Sequence, residues 1–99
     1  MPCQSASGPI QWSIVVPAHN EAGRILPHLQ SITTVLRDRE QPFEILVVDD
    51  GSTDDTATVV ETLASSTPEI RLLRAPLRQG KGAAVRRGMQ AAIGRLQLF

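Results

Sequence analysis

Two adjacent carboxylates, Asp49 and Asp50, stand at the end of the apolar run Ile45 to Val48, within the segment that begins at Phe43, and directly before Gly51. Such a run reads as a buried strand, and in a parallel sheet covered by helices the carboxyl ends of the strands are where ligands bind. Acids there commonly hydrogen-bond a base or a ribose, so the pair points to a nucleotide pocket. Neighbouring strand residues point to opposite faces. The two acids are therefore expected to divide the work, one toward a ligand and one anchoring the turn. The plainer alternative is that both, with Asp54 and Asp55, cap the next helix and complement its dipole.

Two further segments carry chemistry. Gly80-Lys81-Gly82 opens a helical pattern, where glycines let backbone amides approach an anion and Lys81 adds a full positive charge. This makes a phosphate cradle or, on the simpler reading, a glycine-rich turn for helix docking. It is not a P-loop, which needs Ser or Thr where Gly82 stands. Pro17-Ala-His-Asn-Glu21 follows another apolar run, so His19 and Glu21 can hydrogen-bond a base or sugar while Asn20 fixes the loop. An exposed loop histidine is the commoner fate of a residue like His19.

Other chemistries fit poorly. A calcium loop counted from Asp50 requires glycine where Asp55 stands, and no phospho-acceptor strand accompanies the acids as a phosphorelay receiver would need. His28 has no metal-spaced partner, Cys3 is the single cysteine, and no metal site or Ser/His/Asp arrangement is visible. Formal net charge is zero, yet residues 1–70 hold all ten acids and residues 71–99 hold seven bases and no acid. That basic segment reads either as solvated surface or as a partner for an anionic ligand. Nucleic acid is set aside because Trp12, Phe43 and Phe99 sit in or beside apolar runs rather than on a stacking surface.

The elements that must position these residues follow from periodicity. Residues 1–10 form a leader without periodicity, expected to be disordered, and 11–99 form one domain. Trp12 to Pro17, Phe43 to Val48 and Ile70 to Leu73 read as strands, and Leu96, Leu98 and Phe99 as the opening of a fourth. Ile25, Leu29, Ile32 and Leu36 mark a first helix capped by Asn20. A second, capped by Ser52 or Asp54, buries Val59, Val60 and Leu63. A third carries Ala84, Val85, Gly88, Met89 and Ala92 on one stripe and stops at Gly94. The alternation implies an α/β fold: a Rossmann-like parallel sheet with helices on both faces and right-handed crossovers, cut off at the fourth strand.

The segments Ser13-Ile-Val-Val-Pro-Ala-His-Asn-Glu-Ala-Gly-Arg24, Phe43 to Thr56 and Arg78-Gln-Gly-Lys-Gly-Ala-Ala-Val-Arg-Arg-Gly-Met89 together resemble the family 2 glycosyltransferases. The third looks most like the dolichyl-phosphate β-glucosyltransferase and polyprenyl-phosphate glycosyltransferase branch. The resemblance covers residues 12–99. It implies the amino-terminal, nucleotide-binding part of a GT-A fold, which moves a sugar from a nucleotide diphosphate, here UDP-glucose or a similar donor, to a lipid-phosphate acceptor. Carried over by position, nucleotide contacts fall on Pro17, His19, Glu21, Val48 and Asp50, with Lys81 near the phosphates. His19 replaces the commoner Tyr, and Gln79 the usual Asn. In the family, the strand that begins here at Leu96 runs into an acid cluster that holds Mg²⁺ or Mn²⁺. That cluster is not in this sequence, so the resemblance assigns no catalytic or metal residue here and implies an inactive fragment.

A second reading is a short protein that binds a nucleotide or a partner without catalysis, with a homodimer covering the exposed sheet edge. No run approaches the ~20 apolar residues of a membrane span. A reducing, cytoplasmic setting is expected, with a full-length form able to sit at the cytoplasmic face of a membrane.

Overall fold

The computed structural model describes residues 9–98. Four parallel strands, β1 (Trp12–Ala18), β2 (Phe43–Asp50), β3 (Ile70–Ala75) and β4 (Arg95–Leu98), stand in the order β3-β2-β1-β4. Helices α1 (Ile25–Asp38), α2 (Thr56–Ala64) and α3 (Lys81–Ala91) connect them. β2 lies between β1 and β3, and every one of its residues is buried. That is why its middle, Ile45 to Val48, is an unbroken apolar run rather than an alternation.

Strand parity sorts the core into two layers. Ile14, Val16, Ile45 and Val47 pack with Ile25, Leu29 and Ile32 of α1 and Val60 of α2. Val15, Leu46 and Val48 pack on the other face with Ala84 of α3. Helices therefore cover both faces, as the alternation predicts. In α1 the four-three-four spacing puts Ile25, Leu29 and Ile32 on the buried side, with Leu36 partly buried. Pro27 is tolerated because it falls in the first turn, where amides have no partner in the helix anyway.

Several local expectations are corrected. Asn20 does not cap α1, which starts after Arg24; it adopts a left-handed φ of 52° in the preceding loop. Ser52 does not cap α2 either. Asp54 approaches that role from one position early, accepting the Thr56 amide at 3.0 Å. Val60 is fully buried on α2, whereas Val59 and Leu63 are only partly so. Met89 is 48% exposed, because α3 meets the sheet through the narrower pair Ala84 and Gly88. Gly94 is no stop signal, since α3 ends at Ala91 with Ala92 already extended.

A buried polar group ends that helix instead. Glu44 Oε2 accepts the Ile93 amide at 3.0 Å and the Ser13 hydroxyl at 2.7 Å, and Ser13 Oγ accepts the Gly94 amide at 2.8 Å. Gly94 is needed for contact: a Cβ there would lie 2.9 Å from the Trp12 nitrogen. β1, β2 and β3 run slightly longer than expected, to Ala18, Asp50 and Ala75. The expected disorder of residues 1–8, the inertness of Cys3 and the placing of Phe99 in a strand lie outside the described residues.

Candidate functional site

Register sets the site. Pro17 pairs with Val48, Ala18 with Asp49, and Asp49 and Asp50 with Arg74 and Ala75. The loops after β1, β2 and β3 therefore leave the sheet at one level. Among the described residues β4 pairs with Trp12 to Val15. Strand order reverses at this position, the place where an open α/β sheet forms a ligand crevice.

The two acids point to opposite faces of the sheet, as their parity requires. Asp49, 1% exposed, accepts the Ser52 amide at 3.2 Å and stands 3.8 Å from Arg74 Nε, which anchors the β2 turn. Asp50 lies on the α3 side. Its two oxygens accept the amides of Gln79 and Gly80 at 2.8 and 2.9 Å. Hydrogen bonds to an ionised acceptor are the stronger kind, so the end of β2 fixes the loop that leads into α3. Gly80 turns that loop at φ 102° and ψ 160°, a conformation essentially reserved for glycine. Lys81 follows, exposed, as the first residue of α3.

The β1 loop is stitched to the β2 loop. His19 Nδ1–H donates to the Asp50 carbonyl at 2.8 Å, and the Asn20 side-chain amide lies 3.3 Å from His19 Nε2. Those partners select the Nδ1–H tautomer. Asn20 Oδ1 accepts the Thr53 amide at 2.9 Å, and the Asn20 amide donates to Ser52 Oγ at 2.9 Å. The Glu21 amide donates to Thr56 Oγ1 at 2.9 Å and the Ala22 amide to Asp54 Oδ2 at 3.2 Å. The Thr56 hydroxyl donates in turn to Asp54 Oδ1. That bond above all, outweighing desolvation, holds the Asp54 carboxyl below its ordinary range, with the Thr56 and Ala22 amides adding to it.

The six expected contact residues thus come to one end of the sheet but do not share one cavity. Pro17 and Glu21 line a cleft of about 310 Å³ with Val16, Arg24, Ile25 and His28, and Glu21 is paired with Arg24 at 2.9 Å. Val48 and Asp50 line a second, of about 230 Å³, with Ala75, Gln79 and Ala84. His19 links the β1 loop to the end of β2, while Lys81 lines neither cavity. A larger cavity of about 400 Å³ lies beside Trp12, Ile14 and Val35 and has no carboxylate in its lining. Sequence reasoning missed Thr56 and Asp54 as loop braces. The Ser/Thr/Asp cluster was visible, but it reads locally as a helix cap.

Among the described residues no group of three or more His, Cys, Asp or Glu side chains is placed to hold a metal ion. Asp49 and Asp50 are committed to Arg74 and to backbone amides. The described residues therefore assemble no donor set for a divalent cation.

A model of the family described as Glycosyl transferase family 2 matches residues 13–99. The dolichyl-phosphate beta-glucosyltransferase ALG5C of Trichomonas vaginalis is 44% identical over 95 residues, covering 91% of this chain and 28% of that protein. The dolichyl-phosphate beta-glucosyltransferase of Saccharomyces cerevisiae is 36% identical over 93 residues, covering 88% of this chain and 28% of its own length. Among solved structures, glucosyl-3-phosphoglycerate synthase from Mycobacterium tuberculosis, bound to Mn²⁺, UDP and glucosyl-3-phosphoglycerate, superposes with a TM-score of 0.69 at 29% identity. That match covers 91% of this chain and 33% of the other. The mannosyltransferase PcManGT from Pyrobaculum calidifontis, in complex with GDP-Man and Mn²⁺, gives 0.66 at 26% identity, covering 94% and 28%. The chain thus spans about a third or less of the length of each of these relatives.

Proposed function

The chain belongs to glycosyl transferase family 2, and from that membership we propose that its strand ends bind a nucleotide-diphosphate sugar, UDP-glucose first, for transfer to a dolichyl or polyprenyl phosphate. The observation that carries this reading is the Asp50 carboxylate, buried at the end of β2 and holding the Gln79 and Gly80 amides in front of α3. It ties a surface suited to a base to a helix start suited to a diphosphate.

Each residue has a part. Pro17 and Val48 supply apolar walls. Glu21 offers carboxylate oxygens to ribose hydroxyls. Each oxygen of a carboxylate has about two acceptor sites, so Asp50 retains capacity for a base N–H after its two amide bonds. His19 has both ring nitrogens engaged, so it presents its flat face, where the family commonly has another ring. Lys81 and the first amides of α3 stabilise negative charge on the diphosphate, which grows as the sugar C1–O bond breaks and the acceptor oxygen attacks.

In the family Mg²⁺ or Mn²⁺ also neutralises that charge. The described residues form no such site, and nothing in this scheme is routed through one. The whole transferase activity, the lipid-phosphate acceptor and location at a membrane are proposed for a longer form. No helix among the described residues is long and apolar enough to cross a membrane.

Calorimetric titration of the 99-residue chain with UDP, UDP-glucose and GDP, with and without Mn²⁺, tests the reading, with circular dichroism to report folding. Saturable uridine-nucleotide binding that persists without metal supports it. A folded chain with no affinity for any of the three overturns it.

A further inference from the structure

The separation of charge along the sequence becomes a separation between faces of the fold. Five exposed carboxylates, Asp38, Glu40, Asp54, Asp55 and Glu61, all belong to α1, α2 or their connecting loops, on one side of the sheet. The remaining acids among the described residues are buried or partly buried. On the other side, α3 and the loop before it carry Arg78, Lys81, Arg86 and Arg87, all exposed and none in an ion pair among the described residues.

Apolar side chains are interleaved with these cations. Leu77 is 74% exposed in the loop before α3, Met89 48% on the helix and Ile93 69% just beyond it. Arg86 and Met89 are three positions apart and share the outer face of α3, opposite the buried pair Ala84 and Gly88. An interface of cations and aliphatic side chains without acids is the composition that lies on an anionic bilayer, where lipid phosphates attract the bases and the apolar groups enter the acyl boundary. Nucleic acid would use the cations but would leave Leu77, Met89 and Ile93 in water, and no aromatic side chain stands among them for stacking.

We propose that the outer surface of α3, with the Leu77–Arg78 loop, docks on an anionic lipid bilayer. Arg86 and Arg87 also line the cavity of Val48 and Asp50, whereas Leu77, Met89 and Ile93 line neither that cavity nor the cleft of Glu21, so the apolar changes, read beside uridine-nucleotide affinity, separate vesicle docking from donor binding.

The test is co-sedimentation of the full chain with phosphatidylcholine vesicles containing ~30 mol % phosphatidylserine or none. Binding to anionic but not neutral vesicles is expected, weakening at about 0.5 M salt. Arg86→Glu/Arg87→Glu should lower the partition coefficient at least ~tenfold, since each base near the surface contributes about fivefold. Arg24→Glu/Arg39→Glu, with the same net charge change on the α1 side, should lose much less. Leu77→Ser/Met89→Ser/Ile93→Ser should lose several-fold at constant charge. Circular dichroism verifies folding, and the single changes Leu77→Ser and Arg86→Gln are read if a multiple variant fails to fold. Equal binding to neutral vesicles, or equal loss from the α1-side pair, overturns the proposal. So does binding to polyuridylate that matches vesicle binding and ignores the apolar changes.

Discussion

The Asp50 carboxylate receives the Gln79 amide on one oxygen, at 2.8 Å, and the Gly80 amide on the other, at 2.9 Å. This closes the end of β2 onto the start of α3. Replacing Asp50 by Ala leaves two amides in a partly buried site without their charged acceptor, a loss of ~1 to 3 kcal/mol in folding stability. If Asp50 also holds the base, uridine-nucleotide affinity falls by about tenfold or more, ~1.4 kcal/mol or above. Urea denaturation and calorimetry of Asp50→Ala and Asp50→Asn separate the two effects. Lower stability with unchanged affinity would confine Asp50 to holding the loop.

Gly51 and Gly80 both have positive φ, at 65° and 102°, but they should respond differently to alanine. At Gly51 a Cβ would lie 2.3 Å from the Arg78 backbone nitrogen, so the β3–α3 loop itself must move. At Gly80 a Cβ meets nothing within 4 Å, leaving only the dihedral strain of about 1 to 3 kcal/mol. Gly51→Ala should therefore be the more destabilising by thermal melting. Equal melting temperatures would show that the loop over Gly51 yields freely.

Arg37 donates to Glu69 through Nε at 2.9 Å and Nη2 at 2.7 Å, joining the end of α1 to the start of β3. Burial is the largest single influence on Glu69 and opposes its ionisation, but the Arg37 side-chain bonds, a backbone hydrogen bond and the Arg37 charge together hold the carboxyl below its usual range, while Arg37 is raised, chiefly by its bond to Glu69. A lowered acid stabilises the fold above its unfolded pKa of about 4.3 and loses that contribution as pH falls through the folded value. Arg37 is half exposed, so the pair is worth at most ~1 kcal/mol. The stability gap between wild type and Arg37→Gln, read by urea denaturation, should be full near neutrality and shrink below pH ~4. A gap that widens on acidification would contradict the assignment.

How far the site was legible depends on whether its cause is local. The opposite orientation of Asp49 and Asp50 follows from strand alternation, and the layers of Ile14 and Val15 from the same rule. Which amides Asp50 holds was not legible, because the Gln79 loop reaches it only through the register of β3 against β2. Asn20, Asp54 and Thr56 look like cap residues because capping is the local use of their side chains; here they span two loops. Gly94 obeys close approach to β1 rather than helix termination. The separate cavities of Glu21 and Asp50 likewise arise from packing on opposite sides of the sheet.

Gly88 offers the sharpest test of how α3 is seated. A Cβ added there would lie 2.4 Å from Val15 Cγ1, and Val15 is fully buried in β1. Gly88→Ala must either push α3 off the sheet or shift Val15 from its place, an overpacking cost of about 1 to 3 kcal/mol. Helix propensity acts the other way, favouring Ala by ~0.8 to 1.0 kcal/mol, so a net loss measures the clash rather than the helix. Val15→Ala alone opens a cavity and also destabilises. Together the changes should cost less than their sum, because the new methyl fills part of the space that Val15 vacates. A double-mutant cycle by urea denaturation reads that coupling directly; strict additivity would mean that α3 moves as a body and that Val15 does not set its distance from the sheet.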